Sequence, residues 1–277
     1  VPFALWKQPA ALPDGLREVL RSLPPADVLA VTMTGELCDC FESKRQGVLA
    51  ILDAVEAVAG TTPVRVWQTS GRFVEPAVAR AAPLQTAAAN WLALATFAGP
   101  YQRWGPALLI DVGSTTTDVV PLLDGRPVPR GLNDPERLRC RELVYTGVRR
   151  TPLCALLGGE GAAELFATTL DVWLLLGGVD EFSGSHHTAD GRPATRAAAH
   201  ARLARMLCAD LETSTEEERL ALAERLGARQ VALVGEAVGQ VAARLPGPPQ
   251  AVLLAGEGAF LAEKAVRRAV RPAPGAP

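Results

Sequence analysis

The strongest pattern along the chain is an apolar run broken once by small polar residues. Ala107-Leu-Leu-Ile110 leads into Asp111, the run Gly113-Ser-Thr-Thr-Thr117-Asp118 interrupts it, and Val119-Val-Pro-Leu-Leu123 resumes it. Such a pattern predicts two strands joined by a tight turn. Upstream, a short amphipathic helix around Gly15–Leu23 is closed by Pro24-Pro25, and Val28–Met33 reads as a buried strand. A helix carrying Lys44 and Arg45 follows, with Val48, Leu49, Ile51, Leu52, Val55 and Val58 on one side and Gly60 at its end. Val64–Trp67 is the next strand, and residues 76–98 read as one Ala-rich helix. Beyond the central hairpin, Asp124-Gly125 makes a turn into a third short strand at Arg126-Pro-Val. The chain is extended over Arg141–Val148, helical over 162–177, irregular over 177–192, and helical again over 196–210 and 215–244. Ser214-x-x-Glu217 reads as a capping box between the last two helices. A final strand, Gln250–Ala255, opens through Gly256-Glu257-Gly258 into a helix with Lys264, Arg267 and Arg268. Alternating strands and helices predict an α/β fold. Gly99-Pro100 and Gly105-Pro106 suggest a boundary between domains at 1–104 and 105–277.

The central bend concentrates the chemistry. A glycine at position 113 lets a phosphoryl oxygen approach backbone N–H groups, and Ser114, Thr115, Thr116 and Thr117 add hydroxyl donors. Asp111 and Asp118 cannot hold a phosphate, but they can hold a hydrated magnesium ion beside one. Asp and Thr in a tight turn also cap and bend the backbone, which is their commoner work. Thr34, Glu36 and Asp39 lie at the carboxyl end of the first strand, where ligands collect in open α/β sheets, or they cap the following helix. Lys44 reaches a phosphate or is solvated. Arg149-Arg150 receives a diphosphate or lies on the surface. Gly256 and Gly258 form a strand, Gly-x-Gly, helix arrangement that suits a phosphate, or they let the helix pack on the strand. Thr168, Thr169 and Asp171, polar on an otherwise apolar helix, suggest a face looking into a cleft.

Composition narrows the classes. The 277 residues are 48% hydrophobic and 21% charged, which is globular. A net charge of −2 and a pI near 6.0 give no basic face for nucleic acid or an anionic membrane. No apolar run is long enough to span a bilayer, and the first residues do not read as a signal peptide, so the expected location is the cytoplasm. Five cysteines, Cys38, Cys40, Cys140, Cys154 and Cys208, are scattered without a CxxC pair and read as reduced thiols. The adjacent His186 and His187 diverge and make a poor metal pair, so a loop over the site is the better reading of that region.

Asp-Val-Gly-Ser-Thr-Thr-Thr-Asp resembles the phosphate loops of the actin, sugar kinase and Hsp70 ATPase superfamily. Several blocks over residues 28–265 point more narrowly: Met33-Thr-x-Glu-Leu, Glu142-Leu-Val-Tyr-Thr-Gly, Ala167-Thr-Thr-x-Asp-Val, Thr188-Ala-Asp-Gly and the segment from Ala201 to Met206. Together they resemble the hydantoinase A-related proteins of the tetrahydromethanopterin-linked one-carbon pathway. That resemblance implies two ribonuclease-H-like, actin-like ATPase domains facing a cleft. Family members begin with a hairpin of the Asp-Ile-Gly-Gly-Ala-Asn type, and none precedes Val1, so the first domain is expected to lack its N-terminal hairpin. The implied activity is a transferase reaction of methanofuran-type cofactor biosynthesis, in which the phenol of a glutamyl-tyramine displaces diphosphate from an aminomethylfuran-methyl carbon. The resemblance then suggests Asp111 and Asp118 for magnesium, Gly113 to Thr117 for the diphosphate, Lys44 with Arg149 or Arg150 for its charge, and Glu36 or Glu142 as base. An ATP-dependent hydantoinase-like amidohydrolase or small-molecule kinase would use the same loops for ATP, and a non-catalytic nucleotide-binding module is a further alternative. The expected partners are a small phosphorylated substrate and, in a compatible assembly, further copies of the chain.

Overall fold

A computed structural model describes residues 3–269 and divides the chain into two units. The first holds the residues up to Arg103 together with Gly125–Arg137, and the second holds Trp104–Asp124 and the residues from Leu138 onward. The expected boundary at 104/105 therefore lies one residue from the observed one, but the segment after the central hairpin returns to the first unit. Packing explains the return: the Arg137 guanidinium lies 3.8 Å from the centre of the Trp91 ring, within the first unit.

In the first unit, α1 (Leu12–Ser22) precedes β1 (Leu29–Val31), α2 (Lys44–Ala59), β2 (Val64–Gln68) and β3 (Arg72–Val74). β1 and β2 run parallel with α2 as the crossover, and β3 adds antiparallel to β2. α2 buries the apolar stripe predicted for it, with Val48 and Leu52 fully enclosed against Val64 and Val66. Ser43 caps this helix by accepting from the Gln46 N–H at 3.2 Å, so Thr34, Glu36 and Asp39 do not. The strand expected over Val28–Met33 shrinks to three residues and is not buried. Among the described residues it pairs on one side only, and Val28 and Ala30 are exposed. The single helix expected over 76–98 is three: α3 (Pro76–Ala81), α4 (Pro83–Thr86) and α5 (Asn90–Ala98). Pro83 brings no N–H to continue α3, and Ala88 has a φ of 47°, which breaks the path before α5.

The second unit is built on β4 (Pro106–Val112) and β5 (Thr117–Leu123), the predicted hairpin, paired from Pro106↔Leu123 to Val112↔Thr117. The Asp124-Gly125 turn, both residues at positive φ, leads out of this unit to β6 (Arg126–Pro127) and the first turn of α6 (Asp134–Arg139), which belong to the first. β7 (Leu143–Val144) joins β5 near the bend; the rest of the predicted extended stretch over 141–148 is not strand. Short α7 (Cys154–Leu157), α8 (Thr169–Leu175), α9 (Arg196–Met206) and α10 (Glu216–Ala242) follow. β8 (Ala251–Ala255) then lies parallel to β4 and leads into α11 (Ala259–Ala269). Val119 donates its N–H away from β4, to Glu142 O at 2.8 Å. Pro121, two residues on, turns its missing N–H the same way, and the ladder to β4 is spared.

Side chains alternate along these strands. Leu108, Ile110, Val112 and Val119 join the core formed with α8, α10 and α11. Two other expectations shift here. The helix over 162–177 starts only at Thr169, because Pro152 bridges Thr168 and Leu153 donates to Ala167 O, which keeps those two residues extended. The capping box before α10 is Thr215 with Glu218, one residue later than read, since the Ser214 hydroxyl is turned back to Asp210 O. Among the described residues the five cysteines are unpaired, and no helix is long and apolar enough to cross a membrane.

The two kinds of leucine in the first unit should separate cleanly. Leu52→Ala is expected to cost about 2–5 kcal/mol, and Leu84→Ala, at a site 67% exposed, less than about 0.5 kcal/mol. Urea denaturation followed by tryptophan fluorescence measures both.

Candidate functional site

Register brings the two acids of the bend together. Asp111 on β4 faces Asp118 on β5, on the sheet side opposite Leu108, Ile110 and Val112. Burial, and then the Asp118 charge, hold the Asp111 carboxyl above its ordinary range. Two hard oxygen donors forced into like-charge proximity suit a divalent cation. Magnesium is commonly held by one or two carboxylates with phosphate and water completing the shell. Among the described residues no group of three or more His, Cys, Asp or Glu side chains makes a protein-only metal cage.

The bend itself is closed by the Gly113 N–H donating to Thr116 O at 2.9 Å. Among the described residues, the N–H groups of Ser114, Thr115 and Thr116 have no acceptor. The Ser114 and Thr115 hydroxyls lie 3.4 Å apart, each half-buried. Thr117 differs from its neighbours. It is fully buried and its hydroxyl donates to Thr146 O at 2.8 Å, on the core face, so it is not a donor at the bend.

Gly256-Glu257-Gly258 packs directly on this hairpin. A Cβ at Gly256, where φ is 82°, would lie 2.4 Å from Asp111 Oδ1, and one at Gly258 2.4 Å from Val112 Cγ1. The Gly258 N–H donates to Val112 O at 2.9 Å. The start of α11 is thereby seated against the Asp111 end of the bend, where its positive dipole end favours anions. Arg149 reaches the same place and pairs with Glu257 at 2.7 Å, with both side chains over a third exposed. Arg150 is exposed beside it.

Three other candidates stand elsewhere. Glu142 is completely buried and paired with Arg244 at 3.1 Å, so its carboxylate is committed to an internal ion pair rather than poised as a base. Lys44, in the first unit, pairs with Asp134 at 2.5 Å. Glu36, also in the first unit, is 1% exposed and has a buried Oε2 without a hydrogen-bond partner. Burial raises its pKa, with Lys44 lowering it and Asp134 raising it further.

The polar residues expected to line a cleft from α8 are turned inward instead. Thr168 and Asp171 form a capping box, and the Thr169 hydroxyl donates to Gly147 O at 2.8 Å. Asp171 also binds Arg202, itself fully buried, at 2.6 Å, and Arg202 reaches Asp190 at 3.0 Å. Asp190 thus ties the irregular stretch around His186 to α9, while His186 Nδ1 lies 2.8 Å from Gly191 O. Arg202 and Gln230 were missed in the sequence. Each is a polar residue at a core-facing position of a helix, and this break in the apolar stripe is the signal that marks them.

The second unit is thus defined by an acid-flanked hairpin bend with unused amides, set against a Gly-Glu-Gly helix start. The Hydantoinase/oxoprolinase family model matches residues 27–268, and the chain belongs to that family. Among similar curated proteins is the (4-{4-[2-(gamma-L-glutamylamino)ethyl]phenoxymethyl}furan-2-yl)methanamine synthase of Methanocaldococcus jannaschii. It is 34% identical over 250 residues, 87% of this chain and 74% of that protein. The protein of the same name from Methanococcus vannielii is 36% identical over 124 residues, covering 42% of this chain and 55% of the relative. A solved structure titled for the mechanism of ATP-dependent acetone carboxylation aligns at a TM-score of 0.43 and 14% identity, over 69% of this chain and 30% of that one, too loosely to carry a fold assignment.

Removing one partner of the Arg202 pairings leaves a charge stranded in the core. Arg202→Met should cost about 3–5 kcal/mol, read as a fall in denaturation midpoint. Glu36 gives a signed pH effect. Because its folded pKa is raised, its contribution to stability is complete below the unfolded value of about 4.3 and is lost as pH rises through the folded value. Glu36→Gln should abolish that loss, measured as the difference in unfolding free energy between pH 5 and pH 8.

Proposed function

We propose that this protein is a transferase that makes an aryl furanylmethyl ether, joining the phenol of a glutamyl-tyramine to an aminomethylfuran-methyl diphosphate and releasing diphosphate. The observation that carries the reading is the bend itself: facing Asp111 and Asp118 with the unused Ser114–Thr116 amides, in a chain aligned along most of its length with a synthase named for that product. The carbon–oxygen bond to diphosphate breaks with its electron pair going to the leaving group, and the phenolic oxygen forms the new bond to the methylene carbon. The bond-breaking step needs donors fixed where negative charge grows. The Ser114, Thr115 and Thr116 amides and the Ser114 and Thr115 hydroxyls supply them, and Arg149 and Arg150 contribute if they exchange their present contacts, Glu257 in the case of Arg149, for the diphosphate. Asp111 and Asp118 would hold magnesium, which offsets the charge of the departing group. The phenolic proton passes to a base, a role to which Glu142, locked to Arg244, is unsuited. We also propose that the second unit is a ribonuclease-H-like half of an actin-like fold, a reading supported by the β4–β5 hairpin and the later parallel strand β8.

The test is turnover of a furanylmethyl diphosphate with a tyramine acceptor and magnesium, without ATP, followed by mass spectrometry of the ether. Asp111→Asn is expected to lower turnover by about 100-fold or more and to flatten the magnesium dependence. A strict requirement for ATP would move the assignment to an ATP-dependent hydantoinase-like enzyme or kinase.

A further inference from the structure

Behind the bend lies a strap, Thr146–Arg150, whose backbone amides take up the bend's carbonyls. Val148 donates to Gly113 O at 3.0 Å, and Arg149 and Arg150 donate to Ser114 O at 3.0 and 2.9 Å. A trans peptide points its C=O and the following N–H in opposite directions. With the Gly113 and Ser114 carbonyls drawn onto the strap, the Ser114 and Thr115 N–H groups must point away from it. The direction of the amides is therefore set by where the strap sits. Contact is close enough that a Cβ at Gly147 would lie 2.5 Å from Gly113 O and 2.6 Å from Thr115 N.

The strap is in turn held by one side chain of α10. Gln230 is fully buried; its Nε2 donates to Thr146 Oγ1 at 2.9 Å and to Gly147 O at 2.8 Å, and its Oε1 accepts from Trp173 Nε1 at 2.7 Å. The indole can only donate, so the amide orientation is fixed, and a flipped amide would set oxygen against Gly147 O. Thr146 Oγ1 continues to Thr151 Oγ1 at 2.9 Å, which accepts the Gly147 N–H at 3.1 Å. Thr117 and Thr169 complete the set by donating to Thr146 O and Gly147 O. A buried network with its members paired admits few alternative arrangements.

We infer that Gln230 is a positioning residue: through the Thr146–Arg150 strap it fixes the direction in which the Ser114 and Thr115 amides are presented to an anionic ligand. That the ligand is a diphosphate rests on the function proposed above; the mechanical role of Gln230 does not.

The test compares wild type with Gln230→Met, of similar shape but without donor or acceptor. Hydrogen exchange by mass spectrometry would be read well below the unfolding temperature, alongside calorimetric titration with magnesium and inorganic diphosphate. Exchange over residues 146–150, whose amides are all hydrogen-bonded and three of which donate to the bend, should rise about tenfold, the scale of a buried hydrogen bond left unmade, while residues 106–111 and 251–255 exchange as in wild type. Diphosphate affinity should fall by a similar factor. Unchanged exchange over 146–150, or an equal rise throughout the second unit, would overturn the inference. Trp173→Phe, which frees the amide of Gln230 to flip, should give a smaller rise in the same peptide and serves if Gln230→Met does not fold. Wild type that takes up no diphosphate would count against the proposed reaction, and the exchange comparison would still decide the role of Gln230.

Discussion

The β4–β5 register is the constraint on which the second unit depends. With Ile110 opposite Val119 and Asp111 opposite Asp118, every other side chain goes to the helix-packed core, and the two acids share the remaining face. A slip by one residue would exchange the faces, placing a carboxylate among Leu203, Val234 and Leu261 and turning Ile110 out of the core. Hydrophobic burial thus sets the position of the acids, although neither acid contributes to it. The like-charge repulsion between them is the cost of that register, and under the proposed function a bound magnesium ion would relieve it.

The same logic explains why so many charges of the second unit are internal. Arg202 with Asp171, and Glu142 with Arg244, are enclosed ion pairs, a kind of contact that adds little to stability over a well-packed apolar pair. What they add is geometry. Asp171 holds the start of α8, whose Thr169 meets the strap at Gly147, and Glu142 precedes the two residues of β7 that pair with Thr117 and Asp118. Both ion pairs therefore support backbone segments that touch the bend, and a looser apolar substitute would leave those segments less sharply placed.

Much of this was legible in the sequence where a local pattern and a long-range requirement coincide. The hairpin, the α2 stripe, the Gly60 stop and the strand before Gly256 each follow from periodicity and turn chemistry that the tertiary structure also needs. Several errors in the second unit share one cause, a partner drawn from a distant segment. Residues 162–168 carry a helical composition, yet pairing of Thr168 and Ala167 with the 152–153 segment holds those two extended and the residues before them stay irregular. Thr117, Thr169, Asp171 and Glu142 look like site residues because polar side chains near a bend usually face solvent, but here their partners come from distant segments and draw them inward. No spacing rule encodes an Arg244 for Glu142 or an Arg202 for Asp171.

The distinction between Thr116 and Thr117 shows how narrowly the site is drawn. The two share a residue type and adjoin in sequence, but the strand begins between them, and period-two alternation starts with it. Thr117 falls on the core face and gives its hydroxyl to Thr146 O, which ties the strap to the strand. Thr116 stays in the bend with its amide unused. A run of three threonines that reads as one phosphate-binding set is thus divided by the backbone into a part whose amides stay unused and a part that holds the first in place. Gln230 and Trp173 continue that second function inward. The direction in which the bend presents its amides depends on these dry contacts, and an anion bound there under the proposed function would be placed by them as much as by the groups it touches.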